Sequence, residues 1–353
     1  MTERLKIIQW ATGNIGSRSL RAVLEHPGME LVGLWVHSAD KAGRDASELC
    51  GLVGVTGIVG TNDADELVSL DADCVLHMPH GSDIDLWERL LASGKNVVTT
   101  RGDFHFPDAL EDEDRQRIEA ACRKGNTSIY STGVSPGLAT EALIIPLLSL
   151  SRRLDSVMIE EFAALETRDS PHLLFEVMGF GEDMQPFQQA RAEYLKGHFA
   201  TSLAQVAQAS GVEIEKWTAR GELAAASEDV HIAAGTIRKG TVAAQRITIS
   251  GMADGNPVFS FRANWYATDK LADVDWELRE SGWRIVVKSD TPMDVGITYP
   301  VAPEDYAAFT PGLTAHRAVN SVRAVCEAPP GIRTTVDMAQ VIADLRPLVS
   351  VQG

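Results

Sequence analysis

Apolar and polar positions along the first half of the chain follow two repeating patterns. Short apolar runs, typical of buried strands, cover 5–10, 29–36, 73–78, 96–100 and 127–131. Between them, apolar residues recur at helical spacing over 15–24, 63–70, 82–92 and 108–124. A further short strand is predicted over 54–59. Strands that alternate with helices in this way predict a doubly wound parallel sheet in an α/β domain.

The second half of the chain changes pattern after a predicted helix over 138–150. Strands are predicted over 155–164, 241–251, 258–267 and 283–288, and helices over 169–178 and 187–209. Turn residues at 254–257 and 280–282 suit antiparallel neighbours. A last helix is predicted to open at Thr310-Pro311-Gly312 and to end near Cys326. We therefore expect a second α+β domain on a mostly antiparallel sheet, and a C-terminal helical segment returning to the first domain, with boundaries at 1–135, 136–311 and 312–353.

The turn between the first strand and the first helix carries a dinucleotide-binding pattern. It reads ATGNIG over 11–16, with Ala11 in place of the first glycine of G-x-G-x-x-G. Gly13 lacks a Cβ, so the backbone there can approach a pyrophosphate, and Gly16 lets the helix lie close to the strand. The free amides and the dipole of the helix start favour a bound phosphate. We predict a Rossmann-type domain, with an ordinary buried strand-to-helix turn as the alternative.

The end of the second predicted strand bears on the choice between NAD and NADP. A carboxylate there would bind the ribose 2′-hydroxyl and repel a 2′-phosphate. The chain instead has His37 and Ser38, with Lys41 and Arg44 close behind, which favours NADP(H). Asp40 is the counter-argument because it could bind the ribose, so NAD(H) is kept as a second cofactor. The alternative is a solvated loop that does not touch a cofactor.

Further cofactor contacts are expected at the carboxyl ends of the later strands, where ligands of doubly wound sheets collect. Met78, Pro79 and Thr100 stand at such ends, and the Gly- and Pro-rich stretch 132–137 brings backbone close to a ligand, most simply the nicotinamide. The predicted cofactor-binding residues are Ala11, Thr12, Gly13, Asn14, Ile15, His37, Ser38, Lys41, Met78, Pro79, Thr100, Gly133, Ser135 and Pro136.

The loop 101–107 is the candidate for the reacting end of the site. It places a cation, a carboxylate, an imidazole and two aromatic rings directly after a predicted strand. A carboxylate beside a reacting amine or imine can orient the cation and carry its proton. We therefore predict that Asp103 is catalytic. The alternative is that Asp103 only pairs with Arg101 or caps the turn.

Other polar and aromatic candidates are weaker. His77 and His80 lack an acidic third ligand at usable spacing, so polar groups at a strand end are favoured and no metal site is predicted. Glu141 and Glu176 could bind an amine, but a solvated helix face is the favoured interpretation of each. Three aromatic residues could line a substrate pocket, although plain core is favoured for them: Trp265, Tyr266 and Trp283.

Composition excludes several classes of function. The 353 residues are 44% hydrophobic and 23% charged, as in an ordinary globular protein. The net charge of −17 argues against nucleic acid and against anionic membrane surfaces. The four cysteines have no paired spacing, so neither a disulfide framework nor a zinc site is expected, and Cys74 and Cys122 are predicted to be core. The start, Met1-Thr2-Glu3-Arg4, lacks the apolar region of a signal peptide, and a cytoplasmic protein is expected.

Five stretches together resemble the dihydrodipicolinate reductase-like oxidoreductases, in the branch of 2,4-diaminopentanoate dehydrogenase and the native amine dehydrogenases. They are QWATGNIG at 9–16, NVVTT at 96–100, GVSPG at 133–137, MGFG at 178–181 and AVNSV at 318–322. The resemblance covers nearly the whole chain in order. It implies a Rossmann domain, an α+β substrate domain, a homodimer, and NAD(P)-dependent C=N reduction or amine oxidation on a small amine or ketone.

Two departures from that resemblance affect the expected chemistry. The reductase that names the group carries a His-His pair, and this chain has none, so that activity is not expected. The amine dehydrogenases carry a glutamate-bearing segment after the Thr-Thr pair, where this chain has Arg101-Gly102-Asp103. Two alternatives therefore stay open. One is a carbonyl reductase that uses His105 as proton donor, and the other is a non-catalytic NADP(H)-binding protein.

Overall fold

The computed structural model describes residues 4–350. The amino-terminal residues 1–3, which belong to the start predicted to lack a signal peptide, and residues 351–353 lie outside the described residues. The chain divides into two compact units, one of Met1–Leu138 with Thr310–Gly353 and one of Ala139–Phe309. None of the helices described between residues 4 and 350 is both long and apolar enough to cross a membrane.

Strands and helices alternate in the first unit, and strands dominate the second. The strands are β1 (Leu5–Trp10), β2 (Met29–Trp35), β3 (Cys74–His77), β4 (Asn96–Thr99), β5 (Ser128–Ser131), β6 (Leu154–Ala164), β7 (Lys216–Ala226), β8 (Val230–Ile232), β9 (Gly235–Ile237), β10 (Val242–Ala253), β11 (Asn256–Tyr266), β12 (Leu271–Ala272), β13 (Gly282–Ser289), β14 (Met293–Thr298) and β15 (Gly331–Arg333). The α-helices are α1 (Asn14–Glu25), α2 (Ala46–Cys50), α3 (Ala64–Ser69), α4 (Ile84–Ala92), α5 (Asp112–Gly125), α6 (Ile144–Leu148), α7 (Gln189–Ala209) and α8 (Pro303–Cys326).

The sheet of the first unit is parallel and has helices on both faces, which confirms the predicted doubly wound fold. Its strand order is β15-β5-β4-β3-β1-β2, and every neighbouring pair is parallel. Helix α1 and the second half of α8 supply one core, including Leu20, Val23, Val319 and Val322. Helices α4 and α5 supply the other core, including Trp87, Leu90, Ile118 and Cys122. Cys74 and Cys122 are fully buried, as predicted.

The order of these strands creates a crevice beside β1. From β1 the chain passes to β2 on one side and then crosses to β3 on the other. The connections to the two sides leave the sheet in opposite directions, so the carboxyl ends of β1 and β3 border an open crevice. This is the position at which doubly wound sheets bind their ligands.

The predicted strand at 54–59 is wrong. Gly54 and Gly57 have φ values of 116° and 76°, which strands do not adopt, and only Val59 forms a single bridge, to Asp45. Hydrogen bonds to a side chain, rather than pairing between strands, hold the backbone of this segment. The carboxylate of Asp45 accepts hydrogen bonds from the backbone amides of Ser47, Thr56 and Gly57 at 2.9–3.1 Å.

Substituting Asp45 by alanine is expected to lower the free energy of unfolding by about 2 kcal/mol, since a helix cap and several loop amides lose their acceptor. Burial alone would raise the pKa of Asp45, but hydrogen bonds from Ser47 and Thr56 outweigh it and hold the pKa at about 2. The stabilisation is therefore present above about pH 4 and is lost as the pH falls towards 2. Urea unfolding between pH 7 and 3 measures both effects. Asp63 caps only α3, so D63A should cost about 1 kcal/mol; equal losses in the two variants would contradict the role of Asp45 in the loop.

The sheet of the second unit has the order β12-β7-β10-β11-β6-β13-β14. Only the β11–β6 pair is parallel among these neighbours, which confirms the predicted mostly antiparallel sheet. Helix α7 covers one face, where the rings of Phe199 and Phe261 stack with their centroids 3.8 Å apart. Strand β7 was not predicted, because polar residues such as Arg220 and Glu222 occupy its other face without a clean alternation.

Two predicted helices have different bounds. The predicted helix over 138–150 is interrupted: a π-helical turn, Val134–Ala142, contains Gly137 at φ 123°, and α6 follows only at Ile144. The last helix begins at Pro303 rather than at Thr310, and Pro311 lies inside it. A proline inside a helix removes one backbone hydrogen bond and crowds the carbonyl one turn earlier, but α8 is helical on both sides of Pro311. The residue that predicted a helix start is therefore an interior residue.

Candidate functional site

A cavity of about 560 Å³ opens in the first unit at the carboxyl ends of β1, β2 and β3. Most of its lining was predicted from the sequence as cofactor-binding. The predicted residues that line it are Ala11, Thr12, Gly13, Asn14, Ile15, His37, Ser38, Lys41, Met78 and Pro79. Trp35, His80 and Gly81 also line it and were not predicted. Trp35 could have been found from its position at the end of a strand. The predicted strand extended to residue 36, one residue beyond its true end, so Trp35 was not taken as its last residue.

The start of α1 forms one wall of this cavity. Among residues 4–350, no side chain caps the helix, so its first amides remain for another acceptor. A Cβ on Gly13 would likewise meet no atom of these residues within 4 Å. A Cβ on Gly16 would lie 2.2 Å from the carbonyl oxygen of Ala11. Ala11 itself adopts φ 78°, and its carbonyl accepts a hydrogen bond from Gln9 Nε2 at 2.9 Å. An uncapped helix start beside open space suits a phosphate, so these residues fit a dinucleotide.

The cation predicted to favour NADP lies at this wall. Lys41 Nζ donates to the backbone oxygen of Thr12 at 3.0 Å and lies 3.3 Å from its hydroxyl. The short 3₁₀ turn Ala39–Lys41, which begins after Ser38, brings the lysine back over the strand end. Arg44 instead pairs with Glu48 at 2.9 Å, and neither Arg44 nor Asp40 lines the cavity.

The other predicted cofactor residues do not line this cavity. They are Thr100, Gly133, Ser135 and Pro136. The backbone amide of Thr100 donates to the backbone oxygen of His77 at 3.3 Å. The hydroxyls of Thr132 and Ser135 are buried without a hydrogen-bond partner in the part of the chain that the structure describes. A Cβ on Gly133 would lie 3.0 Å from the Pro136 oxygen, so the backbone there is tightly folded. Cofactor contact by these four residues stays a prediction.

Asp103 belongs to a compact polar cluster with Ser82 and Arg101, which we call the Asp103 cluster. Ser82 Oγ donates to Asp103 Oδ1 at 2.6 Å, and Arg101 Nη2 donates to Ser82 Oγ at 3.2 Å. Arg101 Nε lies 3.4 Å from Asp103 Oδ2, an ion pair without hydrogen-bond geometry. The Asp103 side chain is 20% exposed. One carboxylate oxygen is therefore fixed by a hydroxyl, while the other faces a cation.

Ser82 was predicted as the first residue of a helix, and this was wrong. Helix α4 begins at Ile84, because Asp83 caps it by accepting from the amide of Leu86 at 2.9 Å. Ser82 is thereby left in the loop after β3. The sequence contains no spacing that links Ser82 to Asp103, because the two lie 21 residues apart.

His77 is a buried neutral residue at the end of β3. Trp87 Nε1 donates to its Nδ1 at 3.3 Å, and Thr99 Oγ1 lies 3.4 Å from the same atom. Burial lowers its pKa to about 3, and the charge of Arg101 adds to the decrease. Within residues 4–350, no group of three or more potential metal ligands lies close enough to hold an ion. His77 is thus a buried imidazole at the end of β3, with Trp87 and Thr99 as its polar neighbours.

Of the two candidate glutamates in the second unit, one is placed differently from expectation. Glu141 was predicted on a solvated helix face, but it is fully buried and accepts from Ser202 Oγ at 2.6 Å, because the helix around it is interrupted and turns it inward. Glu176 is 73% exposed, as predicted. The indole nitrogens of Trp265 and Trp283 both donate to Glu161, which sequence reasoning did not single out.

Comparison with known proteins gives relatives that match along the entire chain. An amine dehydrogenase from Streptomyces virginiae is 25% identical over 364 residues, which cover 99% of each sequence. A 2,4-diaminopentanoate dehydrogenase from Acetoanaerobium sticklandii is 22% identical and covers 99% of this chain and 98% of its own. The predicted resemblance is confirmed. No protein-family model matches the chain.

The fold is shared with a solved amine dehydrogenase. The structure of that enzyme from Mycobacterium smegmatis matches with a TM-score of 0.74, covering 97% of this chain and 98% of the other at 18% identity. At this level of identity the likeness concerns the fold alone. Within that fold, the chain places an open cavity at the helix start after β1, and a carboxylate in the loop after β4.

Proposed function

We propose that this protein is an NAD(P)-dependent oxidoreductase that acts at the CH–NH or C=N centre of a small-molecule amine or imine. The observation that carries the proposal is the match to amine dehydrogenase over the whole chain. The cavity at the uncapped start of α1 supports it, because its residues fit a dinucleotide.

In this reaction the nicotinamide, when bound, supplies or accepts the hydride. The protein binds and orients the cofactor and the substrate, and it moves a proton to or from the substrate. The α1 amides, the open space at Gly13 and Lys41 would hold the phosphates. Asp103 would take the proton of the substrate nitrogen during oxidation, or return it during reduction, on the carboxylate held by Ser82. Arg101 keeps a positive charge beside that carboxylate.

The test is consumption of NADPH or NADH with a panel of small ketones and aldehydes, with and without high ammonium. We expect oxidation of NADPH or NADH that depends on ammonium. We also expect oxidation of the corresponding amine with NADP⁺ or NAD⁺. Faster oxidation of NADPH or NADH with the ketone alone than with the ketone and ammonium would replace the proposal with a carbonyl reductase. Binding of NADPH without turnover in any mixture would replace it with a non-catalytic NADP(H)-binding protein.

We propose NADP(H) as the preferred cofactor, with Lys41 as a contact to its 2′-phosphate. Substituting Lys41 by alanine is expected to weaken NADPH binding about tenfold or more, the loss of one charge-assisted contact, and to weaken NADH binding less. Arg44→Ala is the matched control, because Arg44 pairs with Glu48 and does not line the cavity. Fluorescence titration with both nucleotides measures the effect. Equal losses for NADPH and NADH would contradict a contact specific to the 2′-phosphate.

We also propose a homodimer, which the resemblance implies, and a cytoplasmic protein with no nucleic-acid or membrane partner. The net charge of −17 agrees with weak affinity for polyanions. Light scattering coupled to size-exclusion chromatography tests the assembly. A mass of 38.2 kDa, that of one chain, at micromolar concentration would contradict the dimer.

A further inference from the structure

Three polar side chains form a row across the carboxyl ends of three neighbouring strands. His77 ends β3, Thr99 ends β4 and Ser131 ends β5. His77 and Thr99 are register partners, and so are Thr99 and Ser131. Register partners on parallel strands lie side by side and project from the same face of the sheet. We call these three residues the strand-end row, and each of them is at most 1% exposed.

The loop that carries Asp103 is bound to this row on both sides of the carboxylate. The backbone amide of Arg101 donates to Thr99 Oγ1 at 3.1 Å, and the amide of Phe104 donates to Ser131 Oγ at 3.0 Å. Two hydroxyls on adjacent strands therefore hold the loop before and after Asp103. Side chains at the ends of buried strands are more rigid than a loop, so these bonds fix the carboxylate relative to the sheet.

The ring of Phe104 provides a third attachment of the same loop. It is fully buried and meets the ring of Trp87 edge to face, with centroids 4.9 Å apart. Trp87 in turn donates its indole N–H to His77 Nδ1 at 3.3 Å. The loop is thus held by a side chain that packs in the core as well as by its amides.

His77 determines the direction of the hydrogen bond that it shares with Thr99. An indole N–H can only donate, so Nδ1 of His77 is an acceptor and the ring proton is on Nε2. The ring stays neutral, because burial lowers its pKa to about 3. Thr99 Oγ1 lies 3.4 Å from Nδ1 and therefore directs its proton to the imidazole and a lone pair to the amide of Arg101.

We propose that the strand-end row consists of positioning residues for Asp103, which hold its carboxylate in the geometry that proton transfer requires. Thr99 and Ser131 act directly on the loop, and His77 acts through Thr99. A carboxylate displaced by about 1 Å transfers a proton much more slowly, while the cofactor and the amine still bind. The kinetic part of the proposal rests on the proposed function, whereas the attachment of the loop does not.

A purely structural role makes a different prediction. In that case the two hydroxyls only satisfy buried amides, and their loss lowers the free energy of unfolding without a specific effect on turnover. Two hydroxyls elsewhere in the first unit serve as controls, because their residues are at most 2% exposed and they also bind backbone. Ser128 Oγ donates to the backbone oxygen of Pro329 at 2.8 Å. Thr127 Oγ1 donates to that of Leu91 at 3.0 Å.

The first measurement is steady-state kinetics of the full chain with the best amine of the panel. Thr99→Val keeps the shape of the side chain and removes the hydroxyl, whereas Thr99→Ser keeps the hydroxyl and removes a methyl group. We expect T99V and Ser131→Ala to lower kcat about tenfold and to leave both KM values within about twofold. T99S should keep most of the wild-type kcat, although it loses stability to a cavity.

The control variants separate positioning from stability. Thr127→Val and Ser128→Ala each remove a buried hydroxyl, so they should lower the free energy of unfolding and keep the wild-type kcat. Equal kcat losses in these controls would overturn the proposal. Wild-type kcat in T99V and S131A, or the same kcat loss in T99S as in T99V, would also overturn it.

Hydrogen exchange resolved at single amides tests the attachment of the loop without any turnover. The amides of Arg101 and Phe104 should exchange slowly in the wild type, because each has an acceptor. We expect T99V to raise the exchange rate at Arg101, and S131A that at Phe104, by about tenfold or more. Ser128→Ala should change neither rate. Fast exchange of both amides in the wild type would overturn the proposal.

His77→Leu tests the action of the imidazole through Thr99. It removes the acceptor that orients the Thr99 hydroxyl, so kcat should fall, but by less than in T99V. In the double variant H77L/T99V the hydroxyl is absent, and kcat should equal that of T99V alone. Losses that multiply would contradict the action of His77 through Thr99.

The attachment of the loop and the proposed reaction can fail separately. Slow amide exchange that depends on the two hydroxyls, without turnover of any amine, would leave the attachment standing and remove the reaction together with the kinetic part of the proposal. Amine turnover that T99V and S131A leave unchanged would leave the reaction standing and remove the strand-end row as its positioning element.

Discussion

Substituting Gly16 by alanine is expected to abolish nucleotide binding and to lower the free energy of unfolding by about 3 kcal/mol. The new Cβ would lie 2.2 Å from the oxygen and 2.9 Å from the carbon of the Ala11 carbonyl. Both are backbone atoms of the turn that precedes α1, so no flexible side chain can move aside, and the helix must shift away from β1. The shift would displace the amides at the start of α1 from the cavity that they line.

Calorimetric titration with NADPH and urea unfolding measure the two effects. Gly197 is a matched control, because it lies on the exposed side of α7 and an added Cβ would meet nothing within 4 Å. Gly197→Ala is expected to raise the free energy of unfolding by up to about 1 kcal/mol and to leave NADPH affinity unchanged. Wild-type NADPH affinity in G16A would contradict the account of the α1 start as the phosphate site.

The cavity at the carboxyl ends of β1, β2 and β3 was predictable from sequence because its residues are local. The residues of 11–15 follow one strand end, His37 to Lys41 follow the next, and Met78 and Pro79 follow a third. Parallel strands bring their carboxyl ends to one edge, so a pattern of strands is enough to place these three groups together. Placing these residues together required no knowledge of how residues distant in the sequence pack against each other.

The surroundings of Asp103 were not predictable, because they depend on a loop conformation. Whether Ser82 reaches Asp103 depends on where α4 begins, and that is decided by the cap at Asp83. The pattern of apolar residues alone permits a start at 82 or at 84. The ion pair with Arg101, by contrast, was one of the alternatives that the sequence indicated, because the two residues lie close together in it.

The different surroundings of Glu160 and Glu161 were not predictable either. Strand β6 presents Glu160 and Glu161 in succession, and the alternation of a strand sends them to opposite faces. Glu160 pairs with Arg262 and Arg284, whereas Glu161 accepts from two tryptophans. The sequence gives both carboxylates the same appearance. Only the cross-strand register, with Trp283 opposite Glu161, distinguishes them.

Substituting Asp103 by asparagine is expected to lower kcat for the amine reaction about 100-fold or more, since removal of a positioned proton carrier has effects of that order. Asparagine keeps the size of the side chain and can still accept from Ser82, so NADPH affinity and the free energy of unfolding should change little. Stopped-flow and steady-state rates with the best substrate of the ammonium-dependent panel provide the measurement. Asp108→Asn is the matched control, because Asp108 is 56% exposed and forms a surface ion pair with Arg115 at 3.6 Å.

The Ser82 variants test whether the cluster acts as a unit. Ser82→Ala removes the 2.6 Å hydrogen bond to Asp103 Oδ1 and should lower kcat about tenfold, while Ser82→Thr restores the hydroxyl and should restore most of the rate. If D103N keeps the wild-type kcat, the proton is not carried by this carboxylate.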